Sequence, residues 1–253
     1  MKKYVTFFLL LLMIGSGSLV WLYLNHVSAK PVSEVTSHEA EDVRTAAYSL
    51  PDEIEIKKEG KSLKLPLADI PQYKNYLLQE ENLQDEIART RFTTLDVPIP
   101  EKINLLQYSC GNKECSTILV KSSSEKNQSL NLPTGIFQDY KLSPDNTKVL
   151  MRYAYDEGGL VRKQIVVAID LHSFTLIGYS SSKLEEQFML MPTWPVISYD
   201  WKDTTHFTIE TAALETNEYD ILEKWFSSDD RATKEVTIEL DTSKKFNGYP
   251  GTE

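Results

Sequence analysis

The feature that most constrains this chain is a long apolar segment near its beginning. Residues 4–24 are 21 consecutive positions without a charged side chain. As an α-helix this segment would be about 31 Å long, which matches the roughly 30 Å hydrocarbon core of a bilayer. Phenylalanine, leucine and methionine cover its whole circumference, so it lacks the polar face of a helix packed on a soluble core. The sequence therefore predicts a transmembrane helix at residues 4–24.

The charges beside this segment predict its orientation. Lys2 and Lys3 precede it, and the positive-inside rule places such residues in the cytoplasm. Residues 1–3 are then a cytoplasmic tip, and everything after the segment is exported. A cleavable signal peptide is the alternative, because small residues at Val27 and Ala29 fit a peptidase site and cleavage near Ala29 would release a secreted protein. The apolar run is longer than the usual core of about 7 to 15 residues in such signals, which favours a retained anchor.

The composition downstream divides the exported part into a stalk and a folded domain. Residues 25–50 are polar and lack apolar periodicity, so we interpret them as a stalk. Residues 51–253 are predicted to form the extracytoplasmic domain, with a hairpin and a helix in residues 51–93 and a β region in residues 94–253. With 41% hydrophobic residues and few glycines and prolines, the chain can bury a core.

Alternating and helical periodicities locate the first elements of the domain. Residues 53–57 and 62–65 alternate around Glu59-Gly60 and predict a β-hairpin. Apolar residues at helical spacing predict a helix over residues 71–89, with Asp69 as its N-cap and Pro71 in its first turn.

The rest of the domain has the texture of a β protein. One helix at residues 218–226, capped by Asn217, interrupts the series of strands. The predicted strands are short, apolar and separated by turn-forming residues: 103–109, 116–121, 138–142, 148–155, 161–169, 174–179, 195–199, 206–211 and 234–240. Short connections favour antiparallel neighbours. The predicted fold class is mainly β, with antiparallel sheets in a propeller-like or sandwich arrangement and one or two packed helices, after the N-terminal transmembrane helix.

Two cysteines lie at the ends of one predicted hairpin. Cys110 and Cys115 enclose a turn that begins with Gly111-Asn112, and the flanking strands bring the two sulfurs together. In an exported chain such a pair favours a structural disulfide, with free thiols as the alternative. Two thiolates without a nearby histidine do not make a zinc site, and the spacing is too long for a redox-active C-x-x-C motif.

A short repeated pattern resembles the blades of WD40-like and TolB-like β-propellers. Residues 143–145, with the sequence Ser-Pro-Asp, lead into residues 148–153, and residues 166–171 follow as a second strand. A second copy begins at residues 198–200 and ends at residues 236–240, and the Cys110 hairpin is a third. The resemblance covers about 110 residues. It implies a binding scaffold built from four-stranded blades.

Charge limits the classes of partner. The formal net charge is −10, and the part after Lys2 and Lys3 is more acidic still. Such a field repels phosphate backbones, and no local basic patch is visible in the sequence, so we predict no nucleic-acid partner. The predicted partners are the membrane, through residues 4–24, and another envelope protein or a ligand.

No catalytic motif stands out. The histidines His26, His38, His172 and His206 are scattered, and no nucleophile elbow, H-E-x-x-H, P-loop or EF-hand loop occurs. Residues 170–173 contain aspartate, histidine and serine, but neighbours on a strand point to opposite faces. We predict no catalytic, metal-binding or cofactor-binding residue and no cofactor, so that Cys110 and Cys115 are the only site residues.

The predicted function is therefore a membrane-tethered extracytoplasmic module that binds or scaffolds without catalysis. The alternative is an envelope hydrolase acting on glycan or peptide. Its candidate carboxylate pairs are Glu80-Glu81, Asp156-Glu157, Glu185-Glu186 and Asp229-Asp230, although their polar surroundings favour a solvated surface. Trp194, Trp201 and Trp225 are instead candidates for a platform on which sugars stack.

Overall fold

The computed structural model describes residues 50–246. Half of this part is strand, and the strands pair in antiparallel sheets, so the prediction of a mainly antiparallel β fold is confirmed. The predicted span at residues 4–24 lies outside the described residues, as does the stalk before residue 50. Within residues 50–246, no helix combines the length and the apolar character that a membrane span needs.

The described chain contains twelve strands and four helices. The strands are β1 Glu53–Lys58, β2 Lys61–Pro66, β3 Arg91–Leu95, β4 Lys102–Tyr108, β5 Cys115–Ser122, β6 Asn127–Leu142, β7 Lys148–Gly158, β8 Val161–Asp170, β9 Thr175–Tyr179, β10 Ser198–Trp201, β11 His206–Ala212 and β12 Thr233–Lys245. The helices are α1 Pro71–Leu77, α2 Leu83–Arg89, α3 Ser182–Glu185 and α4 Tyr219–Ser227. A 3₁₀ turn at Leu67–Asp69 and a π-helical turn at Glu186–Leu190 complete the elements.

Two sheets share these strands. β1 and β2 form a separate hairpin, and the other ten strands follow the order β10-β11-β12-β9-β8-β7-β6-β5-β4-β3. Strands β3 to β9 are thus a simple meander, in which each strand pairs with the next one along the chain. The last three strands extend the sheet through the pairing of β12 with β9, where Leu240 faces Tyr179.

The long sheet is arranged in layers of strands with an apolar core between each layer and the next. Its central strands β7 and β8 are buried on both faces. On β7, Val149 belongs to one apolar cluster together with Ile103 and Leu119 of β4 and β5. The next residue, Leu150, belongs to a second cluster that includes Phe207 of β11. Side chains alternate across a strand, so β7 and β8 separate two cores. This double burial explains the uninterrupted apolar runs at residues 149–151 of β7 and 165–169 of β8.

A third core closes the stack on the other face of β4 and β5. Leu106 and Ile118 point away from the first cluster and pack with Ile54 and Ile56 of the β1–β2 hairpin. Tyr73 of α1 is fully buried in the same cluster. The hairpin and the first two helices therefore cover an apolar face that the meander would otherwise leave exposed to water.

The helix predicted at residues 71–89 is divided in two. α1 ends at Leu77, and α2 begins after Asn82, whose side chain accepts a hydrogen bond from the backbone N–H of Asp85 at 3.3 Å. The predicted cap Asp69 is wrong, because Ile70 holds the N-cap position without a side-chain bond and Asn127 donates to Asp69 at 2.8 Å. This division and the unpredicted α3 give four helices in place of one or two.

Candidate functional site

The Cys110–Cys115 disulfide is present and lies where the sequence predicts it. β4 and β5 pair up to Tyr108 and Ser116, and the N–H of Gly111 donates to the carbonyl oxygen of Glu114 at 2.9 Å inside the loop. The bond therefore closes a hairpin end whose strands are already in register, which makes it a structural crosslink.

The disulfide loop also forms one wall of a cleft of about 620 Å³. Residues 109–111 line that side. Lys57 and Lys58 at the end of β1 and residues 88–91, where α2 joins β3, line the rest, together with Tyr76 and Glu86. We call this site the basic cleft. Its walls come together because β1 lies against α2 and β3.

Positive charge dominates the basic cleft although the chain as a whole is acidic. Its four cationic side chains are Lys57, Lys58, Arg89 and Arg91. Lys57 pairs with Glu55 at 3.1 Å, and Arg89 pairs with Glu86 at 2.6 Å. Lys58 and Arg91 form no ion pair with any side chain that the structure describes. The cleft therefore holds two cations available to a negatively charged group.

The only carboxylate among the cleft residues, that of Glu86, is fully engaged. One oxygen, Oε2, accepts a hydrogen bond from the Tyr76 hydroxyl at 2.5 Å, and the other, Oε1, pairs with Arg89. Burial, together with this bond to Glu86, raises the pKa of Tyr76 far above its ordinary value, so the phenol stays protonated. Neither group is free to act as a general base at neutral pH, and the arrangement suits binding better than acid–base catalysis.

A tyrosine cluster behind the cleft stiffens its floor. The rings of Tyr73 and Tyr76 each lie 5.0 Å from the ring of Tyr108. The hydroxyls of Tyr73 and Thr90 are 2.6 Å apart, and burial raises the pKa of Tyr73 to about 12. Because Tyr76 of this cluster donates to Glu86, the packed rings hold the Glu86 carboxylate in place.

The structure does not gather the histidines that lie within residues 50–246. His206 is within 3.0 Å of Asp203 in the β10–β11 turn. The pKa of Asp203 lies well below its usual range, chiefly because its carboxylate accepts a hydrogen bond from the backbone N–H of Thr205. In residues 170–173, Asp170 accepts hydrogen bonds from Ser173 within its own turn. His26 and His38 lie outside the described residues. No three histidine, cysteine, aspartate or glutamate side chains in this part of the chain are grouped to hold a metal ion.

The tryptophans do not form a sugar platform. Trp194 and Trp225 are each only 7% exposed, and the indole of Trp201 donates to the carbonyl oxygen of Lys141 at 3.0 Å. The carboxylate pair Asp156-Glu157 is neutralised in its own hairpin by Arg162 and Lys163. Trp194 and Trp225 therefore present little surface on which a sugar ring could stack, and the charges of Asp156 and Glu157 are compensated by neighbouring cations.

Sequence reasoning missed the basic cleft. Lys57 and Lys58 are separated from Arg89 and Arg91 by about thirty residues, so no window of the sequence contains a basic patch. Only the packing of β1 against β3 brings them together, and no spacing rule signals that contact. No family model, curated protein or solved structure matches the chain.

Proposed function

We propose that this protein is a membrane-tethered, extracytoplasmic binding module whose basic cleft takes a negatively charged group of an envelope partner. Residues 4–24 would anchor it, with residues 1–3 in the cytoplasm and the folded domain outside. The proposed role is binding without catalysis. It is supported by one observation above all: Lys58 and Arg91 line the same cleft without ion-pair partners among the described residues.

The location rests on two independent features. The uncharged segment is long enough to cross a bilayer and follows two lysines. The Cys110–Cys115 disulfide supports export, because such bonds persist in oxidising compartments and are rare in the cytosol.

The layered fold supports a scaffold role. Neighbouring layers bury their facing sides against each other, and β7 and β8 are buried on both faces. We interpret these layers as propeller-like blades packed face to face, which agrees with the resemblance of residues 143–171 to a propeller blade. Such scaffolds present loops and clefts for recognition and need no chemistry of their own.

Charge reversal inside and outside the cleft tests the binding site. The pair Lys58→Glu and Arg91→Glu should weaken binding of the full-length chain to poly-L-glutamate by about tenfold or more. The matched pair Lys61→Glu and Lys64→Glu changes net charge equally on exposed hairpin positions outside the cleft and should change binding little. Equal losses in both pairs, or no binding by the unmodified chain, would contradict the proposal.

Topology is tested separately on intact cells that express the chain. External protease should remove the domain, and the intact mass of the purified protein should include residues 1–29 and an oxidised cysteine pair. Protection of the domain from protease would overturn the proposed location. A mass that corresponds to a chain starting after Ala29 would contradict the retained anchor and show that the protein is secreted after cleavage.

A further inference from the structure

A second cleft, of about 460 Å³, lies at one end of the long sheet. Three connections form it: residues 98–101 between β3 and β4, residues 145–147 between β6 and β7, and residues 171–172 between β8 and β9. Lys121, near the end of β5, forms its inner wall. We call this site the turn-end cleft, and it is separate from the basic cleft.

Lys121 is a buried cation that has no counter-ion among the described residues. Its residue is only 9% exposed, and its ammonium donates to the carbonyl oxygens of Leu171 and His172, both at 3.2 Å. The nitrogen also lies 4.9 Å from the centre of the Phe174 ring. No carboxylate whose position the structure describes lies within 4.0 Å of it. The carbonyls use two of three N–H donors and do not neutralise the charge.

Two carboxylates line the same cleft. Asp145 accepts hydrogen bonds from Ser143 at 2.6 Å and from the hydroxyl of Thr147 at 2.9 Å, both at Oδ1, so one of its oxygens is engaged in the turn. Glu101 is half-buried, and its carboxylate has no hydrogen-bond or ion-pair partner in the described part of the chain. Among the described residues, the cleft therefore contains a cation without an ion-pair partner, Lys121, and two carboxylates, of which only Glu101 lacks any hydrogen-bond donor.

The remaining wall of the cleft is apolar. It consists of Pro98, Ile99, Pro100 and Leu171. An apolar wall beside two separated and opposite charges matches a ligand that has a carboxylate, an ammonium group and a hydrocarbon side chain.

We propose that the turn-end cleft binds a free α-amino acid with an apolar side chain. The ligand carboxylate accepts the third N–H of Lys121, and the ligand ammonium group donates to Glu101. The hydrocarbon side chain lies against Ile99 and Leu171. Binding neutralises both protein charges in a partly desolvated site, where such charge-assisted hydrogen bonds are strong.

Titration of the full-length chain with L-leucine tests this assignment. We expect binding at millimolar concentration or below, observed by calorimetry and by shifts of the backbone amide signals of Ile99, Glu101, Leu171 and His172. 4-Methylvalerate lacks the ammonium group and 3-methylbutylamine lacks the carboxylate, so each should bind about tenfold more weakly or not at all. Absence of leucine binding, or equal binding of an analogue that lacks one charge, would overturn the proposal.

Variants connect the binding to the two charged residues. Lys121→Met replaces a buried charge by an apolar side chain of similar length, so the protein should stay folded and lose leucine binding. Glu101→Gln keeps the shape of the side chain but removes its negative charge. The ligand ammonium group should then no longer strengthen leucine binding. Lys126→Met, at an exposed turn outside the cleft, is the matched control and should bind as the unmodified chain does. If Lys121→Met unfolds, the Glu101→Gln result decides, and unchanged leucine binding by that variant would refute the assignment.

Discussion

At the scale of single residues, Asp145 organises the turn between β6 and β7. Its carboxylate accepts hydrogen bonds from Ser143 and from both the backbone N–H and the hydroxyl of Thr147, while Asn146 takes a left-handed backbone conformation with φ +57°. Chiefly through the Ser143 bond, these donors lower the pKa of Asp145 from 3.8 to about 2. The charged form is therefore part of the folded turn.

This lowered pKa predicts a pH dependence of stability. Because the unfolded chain binds a proton at Asp145 more readily than the folded chain, the stabilisation is present above about pH 4 and is lost as the pH falls toward 2. The Asp145→Asn variant should therefore be less stable than the unmodified chain at pH 6, and the difference should shrink by pH 2. Thermal unfolding across this range measures it. Asp229→Asn, at an exposed position, is the control, and parallel pH curves for Asp145→Asn and the unmodified chain would contradict the prediction.

At the scale of elements, β6 connects two layers of the sheet. Its first half pairs with β5 and its second half pairs with β7. The change occurs at Gly135, whose φ of +143° suits glycine, and a Cβ there would lie 3.0 Å from the ring of Tyr155. The prediction of a strand at residues 138–142 located only the second half. The first half is polar enough to resemble a loop in the sequence, and it is a strand because β5 supplies hydrogen-bond partners.

The disulfide is the crosslink of the β4–β5 hairpin, so its removal should weaken that element. The loop it closes is short, and loop-closure entropy predicts that changing Cys110 and Cys115 to serine lowers the free energy of unfolding by about 2 kcal/mol. Urea unfolding of the oxidised chain, the reduced chain and the double variant measures the effect. Reduced and variant proteins should behave alike, and equal stability of all three would show that the bond contributes nothing.

At the scale of the whole molecule, an ion-pair network ties the edge strand β10 to the middle of the sheet. Arg152 of β7 pairs with Asp139 of β6 and donates to the carbonyl oxygen of Val196 at 2.9 Å. The hydroxyl of Tyr199 in β10 donates to Asp139 at 2.7 Å. The network spans residues far apart along the chain, and it holds a short strand that has only one paired neighbour.

Loss of this network should loosen β10. The Arg152 side chain is only 17% exposed, so Arg152→Met should lower the free energy of unfolding by about 2 kcal/mol because Asp139 loses its cationic partner and the buried carbonyl of Val196 loses a donor. The control is Arg162→Met, since its pair with Asp156 is well exposed and should contribute less than about 1 kcal/mol. Urea unfolding measures both, and hydrogen exchange should accelerate in residues 198–201 of the first variant only. Equal effects of the two changes would be incompatible with a tethering role.

Features that depend on neighbouring residues could be predicted from the sequence, whereas features that depend on tertiary contacts could not. Each of the nine strands predicted after residue 94 overlaps an observed strand, because apolar runs and turn residues are local signals. The prediction of one continuous helix over residues 71–89 was wrong in its middle, because apolar periodicity does not indicate that Asn82 caps a new helix. The helical turns at residues 182–190 were missed as well. Their buried Phe188 and Met189 pack on the second core, which is a tertiary contact.

By itself, the sequence determined the antiparallel β character, the order of most elements, the β1–β2 hairpin and the Cys110–Cys115 bridge. These all follow from interactions between residues close together along the chain. Only the tertiary structure decided the pairing of β12 with β9, the double burial of β7 and β8, and the two clefts with their unpaired charges. Those features join residues separated by tens of positions. Such contacts form because the whole chain buries its apolar faces together, and the spacing of residues along the sequence does not indicate which faces will meet.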